Sequence, residues 1–100
     1  MNQIERIEHF EKILDETTAA VDNLSDALEK YSEIQEKYFE LMRYYGGEWR
    51  QDYEDDEAGK IPKDLKRGVL SQDAVYDLLM KNRALQVKIL EIFADILRKG

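Results

Sequence analysis

The chain has 100 residues, 43% of them hydrophobic and 37% charged, which is the size and composition of a single soluble domain. It contains no cysteine, and this excludes disulfide-stapled scaffolds and metal sites with cysteine ligands. The net charge of −7 disfavours binding to nucleic acid or to a membrane surface. No signal peptide or membrane span is recognisable, so the expected location is the cytoplasm.

A seven-residue repeat of apolar side chains predicts one long helix over residues 3–45. Its two core columns contain Ile7, Leu14, Val21, Leu28, Gln35 and Met42, and, three residues on, Phe10, Thr17, Leu24, Tyr31, Tyr38 and Tyr45. A third apolar column, Ile13, Ala20, Ala27, Ile34 and Leu41, lies beside them. This stripe is wider than the seam of a two-stranded coiled coil, so the helix should contact more than one neighbour. Gly46 and Gly47 are expected to end the helix in the left-handed cap conformation.

Residues 46–70 form a connector in which we expect local order, because a structureless segment of this length is unusual in so small a domain. Trp49 and Tyr53 are four residues apart, a spacing that places both rings on one side of a short helix. Further on, Lys60 to Gly68 is predicted to form a single turn, with Pro62 near its first position and Gly68 just past its end.

A second long helix is predicted over residues 71–98. Ser71 is a good N-cap residue, whose hydroxyl can accept hydrogen bonds from the free amides of the first turn, and Asp73 is favourably placed against the helix dipole. The apolar residues of this segment again form a wide stripe: Val75, Leu78, Leu85, Ile89, Ile92 and Ile96, flanked by Tyr76, Leu79, Leu90, Phe93 and Leu97.

The two long helices differ in length, at about 64 Å and about 42 Å for a rise of 1.5 Å per residue. Antiparallel pairing with Tyr45 beside Ser71 would therefore leave an N-terminal stripe uncovered, namely Ile4, Ile7, Phe10, Ile13 and Leu14. A second copy could cover it in a four-helix bundle, or a break near residues 22–25 could fold the segment back as a third helix. The uninterrupted repeat favours the second copy.

The predicted fold is therefore all-α, with one domain over residues 1–100. It is a long antiparallel helical hairpin with short helical turns in the connector, which completes a bundle by dimerisation. A three-helix bundle with a break near residues 22–25 is the alternative.

The centre of the chain contains its most distinctive motif, Tyr44-Tyr45-Gly46-Gly47-Glu48-Trp49, followed by Asp52 and by Pro62 to Asp73 with the string Leu-Lys-Arg-Gly-Val-Leu-Ser-Gln-Asp. With its flanking helices it resembles the small bacterial family catalogued as domain of unknown function 4298. The likeness covers nearly the whole chain. It implies a stand-alone cytoplasmic bacterial protein and transfers no catalytic residue.

Clusters of carboxylates are the only candidates for metal chemistry. The acidic run from Asp52 to Glu57 lacks the glycine and glutamate of an EF-hand at the required positions. Pairs such as Glu33 with Glu36 are similar to those that hold magnesium in all-α nucleotide pyrophosphohydrolases, but they lie on the solvated face. His9 is the only histidine. We therefore expect no metal, no cofactor and no catalytic residue.

The sequence thus predicts a non-catalytic helical protein–protein interaction module that forms a homodimer through the N-terminal stripe. The surface predicted for an unidentified protein partner contains Tyr45, Trp49, Asp52, Tyr53, Arg67 and Asp73. The alternatives are a metal-dependent hydrolase of phosphorylated small molecules, which would use helical carboxylates, and a regulator of a basic protein.

Overall fold

The computed structural model describes all 100 residues, and 81% of them are helical. Its elements in chain order are α1 (Gln3–Tyr45), α2 (Trp49–Glu57), a 3₁₀ turn (Gly68–Leu70) and α3 (Ala74–Lys99). There is no strand. This confirms the all-α prediction, since two long helices with a short, partly helical connector are the elements of a helical hairpin or bundle.

Helix α1 runs for 43 residues without interruption. Residues 22–25, where the alternative fold required a break, are helical. The three-helix alternative is therefore wrong at this point. The physical reason is that the segment contains neither proline nor glycine, and its apolar repeat continues through residues 22–25 without a shift.

Helix α1 ends at Tyr45, directly before the two glycines, as predicted. The left-handed cap predicted for Gly46 and Gly47 is wrong, because Gly59 is the one residue with a positive φ. The chain instead tightens into a turn in which the Gly47 amide donates to the Tyr44 carbonyl (3.0 Å). A Cβ atom on Gly47 would lie 3.2 Å from the Arg43 carbonyl oxygen, so close approach of the backbone is what favours glycine here.

The chain divides into two units, residues 1–41 and residues 42–100. The first is a single helical segment, and its residues 1–30 are all exposed. The second contains the end of α1 and every later element, with the 3₁₀ turn in contact with both α2 and α3. Its buried residues are Leu70 and Val75, which are 7% and 3% exposed. The single domain over residues 1–100 stays a prediction.

The connector differs in detail from the prediction. The turn near Pro62 is present, since the Leu65 amide donates to the Pro62 carbonyl (3.2 Å). Gly68, however, begins the 3₁₀ turn and does not end the turn at Pro62. Helix α3 begins at Ala74, three residues after the predicted start. The Ser71 hydroxyl nevertheless accepts a hydrogen bond from the Ala74 amide (3.2 Å), and it donates to the Gly68 carbonyl (2.9 Å).

Candidate functional site

Three aromatic rings form a row at the corner between α1 and α2. The Tyr45 and Trp49 rings meet edge to face with centroids 5.1 Å apart, and Trp49 stacks on Tyr53 at 5.0 Å with an interplanar angle of 13°. The spacing of four residues between successive rings produces this row. All three side chains are half-buried. The predicted short helix with Trp49 and Tyr53 on one side is therefore confirmed.

Two hydrogen bonds join this aromatic row to the part of the connector that precedes α3. The Trp49 indole N–H donates to the Val69 carbonyl (2.7 Å), and the Gln72 side-chain amide donates to the Tyr53 hydroxyl (2.6 Å). The partners are 20 and 19 residues apart in the chain. The polar groups of Trp49 and Tyr53 are thus satisfied within the protein, and these two rings are held in one orientation.

Asp52 accepts a hydrogen bond from the Tyr44 hydroxyl at 2.7 Å, which joins α2 to the last turn of α1. Partial burial of the phenol raises the pKa of Tyr44 to about 12, and the hydrogen bond to Asp52 and the negative charges of Asp52 and Glu48 act in the same direction. Tyr44 therefore remains a neutral hydrogen-bond donor at every physiological pH.

Arg67 forms an ion pair with Asp56, and this pair closes the connector onto α2. The two side chains are 33% and 17% exposed, so the pair is better shielded from water than the exposed ion pair between Lys60 and Asp55. Shielding strengthens the attraction between the charges, although their desolvation opposes it.

An open cleft of about 790 Å³ lies between α2 and the start of α3. Tyr53 and Leu70 contribute apolar surface to it, and three carboxylates line it, those of Asp56, Glu57 and Asp73. Arg67 is the cationic residue of the lining, and it is already paired with Asp56. The cleft is therefore acidic.

The six residues predicted as a partner surface are not equivalent in the structure. Five of them, Tyr45, Trp49, Asp52, Tyr53 and Arg67, belong to the network of rings, hydrogen bonds and ion pairs described above. Asp73 is exposed on the rim of the cleft, and its side chain forms no capping hydrogen bond at the start of α3.

The predicted partner surface left out Tyr44, Asp56 and Gln72, which supply the partners of Asp52, Arg67 and Tyr53. Of the three contacts, the one between Tyr44 and Asp52 had a local signal, since a hydroxyl and a carboxylate eight residues apart flank the predicted helix end. The other two depend on how the connector folds back onto α2.

The N-terminal stripe predicted for self-association is exposed in full. Ile4, Phe10 and Leu14 are 68%, 56% and 58% exposed, and Ile7 and Ile13 are exposed as well. Farther along the same face, Val21 and Leu24 are also exposed. The structure therefore presents a long apolar surface on the first 30 residues.

Neither a metal site nor a membrane-spanning segment is visible. No group of three or more histidine, aspartate or glutamate side chains is arranged so that it could hold a metal ion. The hydrolase alternative thus gains no support from the carboxylates. None of the helices combines the length and the apolar character that crossing a bilayer requires.

Comparison with known families confirms the resemblance noted in the sequence. The profile of a family described as Domain of unknown function (DUF4298) matches residues 7–92. The chain belongs to this family. The matched region of DUF4298 includes most of α1 and α3 and the whole connector, so the aromatic row and the cleft are both within it. No curated protein and no solved structure matches the chain.

Proposed function

We propose that this member of the DUF4298 family is a non-catalytic helical module for protein–protein interaction, and that it acts by forming a homodimer. The observation that carries the proposal is the exposure of the N-terminal stripe, whose five large apolar side chains are 41–68% exposed. Burying apolar surface is favourable by about 25 cal/mol per Å². A continuous exposed stripe of this kind is typical of an association surface.

A second copy of the chain is the partner that best fits this stripe. The stripe follows a seven-residue repeat, which is the pattern by which two helices pack side chains into each other's grooves. A single helix cannot bury its own apolar face, and residues 1–41 contain no other element. Because the same repeat is present in both copies, two α1 helices supply matching surfaces.

The connector supports a second surface, for a different protein partner. Its aromatic row is half-buried and held by hydrogen bonds, so its shape is already formed before any partner binds. Tyrosine and tryptophan are enriched in interfaces. The adjoining cleft is acidic, and charge complementarity therefore favours a basic partner. A cytoplasmic location in bacteria belongs to the same proposal, supported by the family resemblance.

Self-association is tested by light scattering coupled to size-exclusion chromatography. We expect a mass of twice 11.8 kDa for the unaltered protein. Leu14→Glu puts a charge into the stripe of both copies and should weaken the dimer at least about 100-fold, since burying a leucine is worth about 2 kcal/mol in each copy and therefore about 4 kcal/mol in the dimer.

Ala19→Glu is the matched control, because it adds the same side chain to an exposed position outside the three apolar columns. We expect it to leave the dimer intact. Circular dichroism should show that both variants remain helical. A monomeric mass for the unaltered protein at 100 µM would contradict the proposal, as would equal weakening by the two substitutions.

A further inference from the structure

Exposure along α1 changes at one position. Every residue from Met1 to Lys30 is exposed, and Tyr31 is the first half-buried residue. Beyond it the residues of the two core columns are half-buried, for example Gln35, Tyr38 and Met42. The core columns are therefore exposed to a second copy over the segment 3–30, whose midpoint lies at residues 16–17.

Antiparallel pairing of two copies covers residues 3–30 and leaves the half-buried residues beyond them outside the paired segment. If two α1 helices cross with Thr17 opposite Thr17, residue 3 of one copy lies opposite residue 31 of the other, so each stripe ends where the other helix begins. A parallel pair in register would continue past Tyr31 along core columns that are already half-buried. Antiparallel pairing also places the two Met42 residues, where the second unit begins, at opposite ends of the paired segment.

Side-chain sizes agree with this register. In the antiparallel pair Leu14 lies opposite Ala20 of the second copy and Ile7 lies opposite Ala27, so a large side chain meets a small one at both positions. Parallel pairing in register would instead bring Leu14 against Leu14 and Ile7 against Ile7 of the second copy. Large residues facing small ones interdigitate with fewer voids and less strain.

Thr17 fixes the centre of the pair. It is the one polar residue in the two core columns between Ile7 and Leu28. When Thr17 lies on the twofold axis, its hydroxyl faces the Thr17 hydroxyl of the second copy. Each hydroxyl can then donate a hydrogen bond to the other or accept one from it. Shifting the antiparallel register by one heptad would bury Thr17 against Leu24 and leave the hydroxyl without a side-chain partner, which is unfavourable.

We infer that two copies pair residues 3–30 of α1 antiparallel, about a twofold axis at Thr17. In this arrangement Phe10 of each copy lies opposite Leu24 of the other. The inference rests on the proposed self-association and specifies its geometry.

The absence of cysteine allows a direct test by disulfide cross-linking. Thr17→Cys should cross-link to itself under mild oxidation, with more than half of the chains becoming disulfide-linked dimers. Phe10→Cys alone and Leu24→Cys alone should each give little disulfide-linked dimer. When the two proteins are mixed and re-equilibrated, the cysteine at position 10 of one should cross-link to the cysteine at position 24 of the other. Non-reducing electrophoresis and mass spectrometry of the linked peptides provide the measurement.

Each outcome has a separate meaning. In a parallel pair, Phe10→Cys alone and Leu24→Cys alone would each form a disulfide with the same position of the second copy. That result would overturn the antiparallel inference but would still indicate a dimer. Light scattering that shows a dimer while no cysteine cross-links overturns the register. A monomer in light scattering overturns the proposed function itself.

Discussion

At the scale of single residues, the contact between Tyr44 and Asp52 links the end of α1 to α2. Its donor is a phenol whose pKa is raised to about 12, so the hydrogen bond persists wherever the phenol keeps its proton. The hydrogen bond is therefore lost only at strongly alkaline pH, where the phenol gives up its proton.

Alkaline pH should weaken the fold through Tyr44. The folded state holds the phenolic proton more tightly than the unfolded chain, whose tyrosine pKa is 10.0. The stabilisation is therefore fully present below pH 10 and disappears as pH rises towards 12. We expect a loss of about 1 kcal/mol in the free energy of unfolding over this range, after allowance for partial exposure of the side chain.

Tyr44→Phe isolates this effect, because it removes the titrating group and keeps the ring. Urea unfolding at a series of pH values should give a difference between the two proteins that is constant below pH 10 and shrinks above it. A difference that does not change between pH 10 and pH 12 would show that the pKa of Tyr44 is not raised.

At the scale of elements, α2 ends in a motif with two defined hydrogen bonds. The Lys60 amide donates to the Asp55 carbonyl (2.9 Å), and the Gly59 amide donates to the Asp56 carbonyl (3.0 Å). Together with the φ of +75° at Gly59, this is the Schellman arrangement that ends many helices. Gly59 is the position where a left-handed residue is required.

Replacing Gly59 by alanine should destabilise the second unit by about 1 kcal/mol, because a Cβ atom is unfavourable in the left-handed region. Space is not the cause, since no heavy atom lies within 4 Å of the Cβ position. Thermal unfolding followed by circular dichroism should show the effect as a lower midpoint.

Gly68→Ala is the control at a second glycine with open space around its Cβ position, but without a positive φ. It should be neutral or stabilise by about 0.5 kcal/mol, since alanine restricts the unfolded chain. Equal destabilisation by both substitutions would argue against conformational strain as the cause at Gly59.

Local signals in the sequence predicted part of each element. The four-residue spacing of Trp49 and Tyr53 indicated α2 and the stacked pair. At the start of α1, Asn2 accepts from the Glu5 amide (2.8 Å) and its own side-chain amide donates to the Glu5 carboxylate (2.9 Å). The Asn-x-x-Glu spacing is the local signal for this cap.

At the scale of the whole molecule, charge acts against self-association. Residues 1–45 contain 11 acidic and 5 basic side chains, so a dimer brings two strongly negative helices together. Apolar burial must exceed this repulsion. Salt screens charges over about 10 Å at 0.1 M ionic strength and reduces the repulsion.

The proposed dimer should therefore become tighter as salt is added. Between 50 and 500 mM NaCl we expect the dissociation constant to fall by about 3- to 10-fold, measured by analytical ultracentrifugation. A basic partner on the acidic cleft would show the opposite trend. A dimer that weakens steadily with added salt would indicate that ion pairs, and not the apolar stripe, hold it.

The sequence by itself determined the all-α class and the apolar stripe, because helix propensity and a seven-residue repeat act over short distances in the chain. It favoured an uninterrupted α1 over a break near residues 22–25, and the structure excluded the break. The sequence also indicated the helix end at the two glycines, although not the backbone conformation there. Only the tertiary structure decided that Arg67 pairs with Asp56 and that Trp49 donates to Val69. These partners are 11 and 20 residues apart, and no local pattern specifies which donor meets which acceptor once a connector folds back.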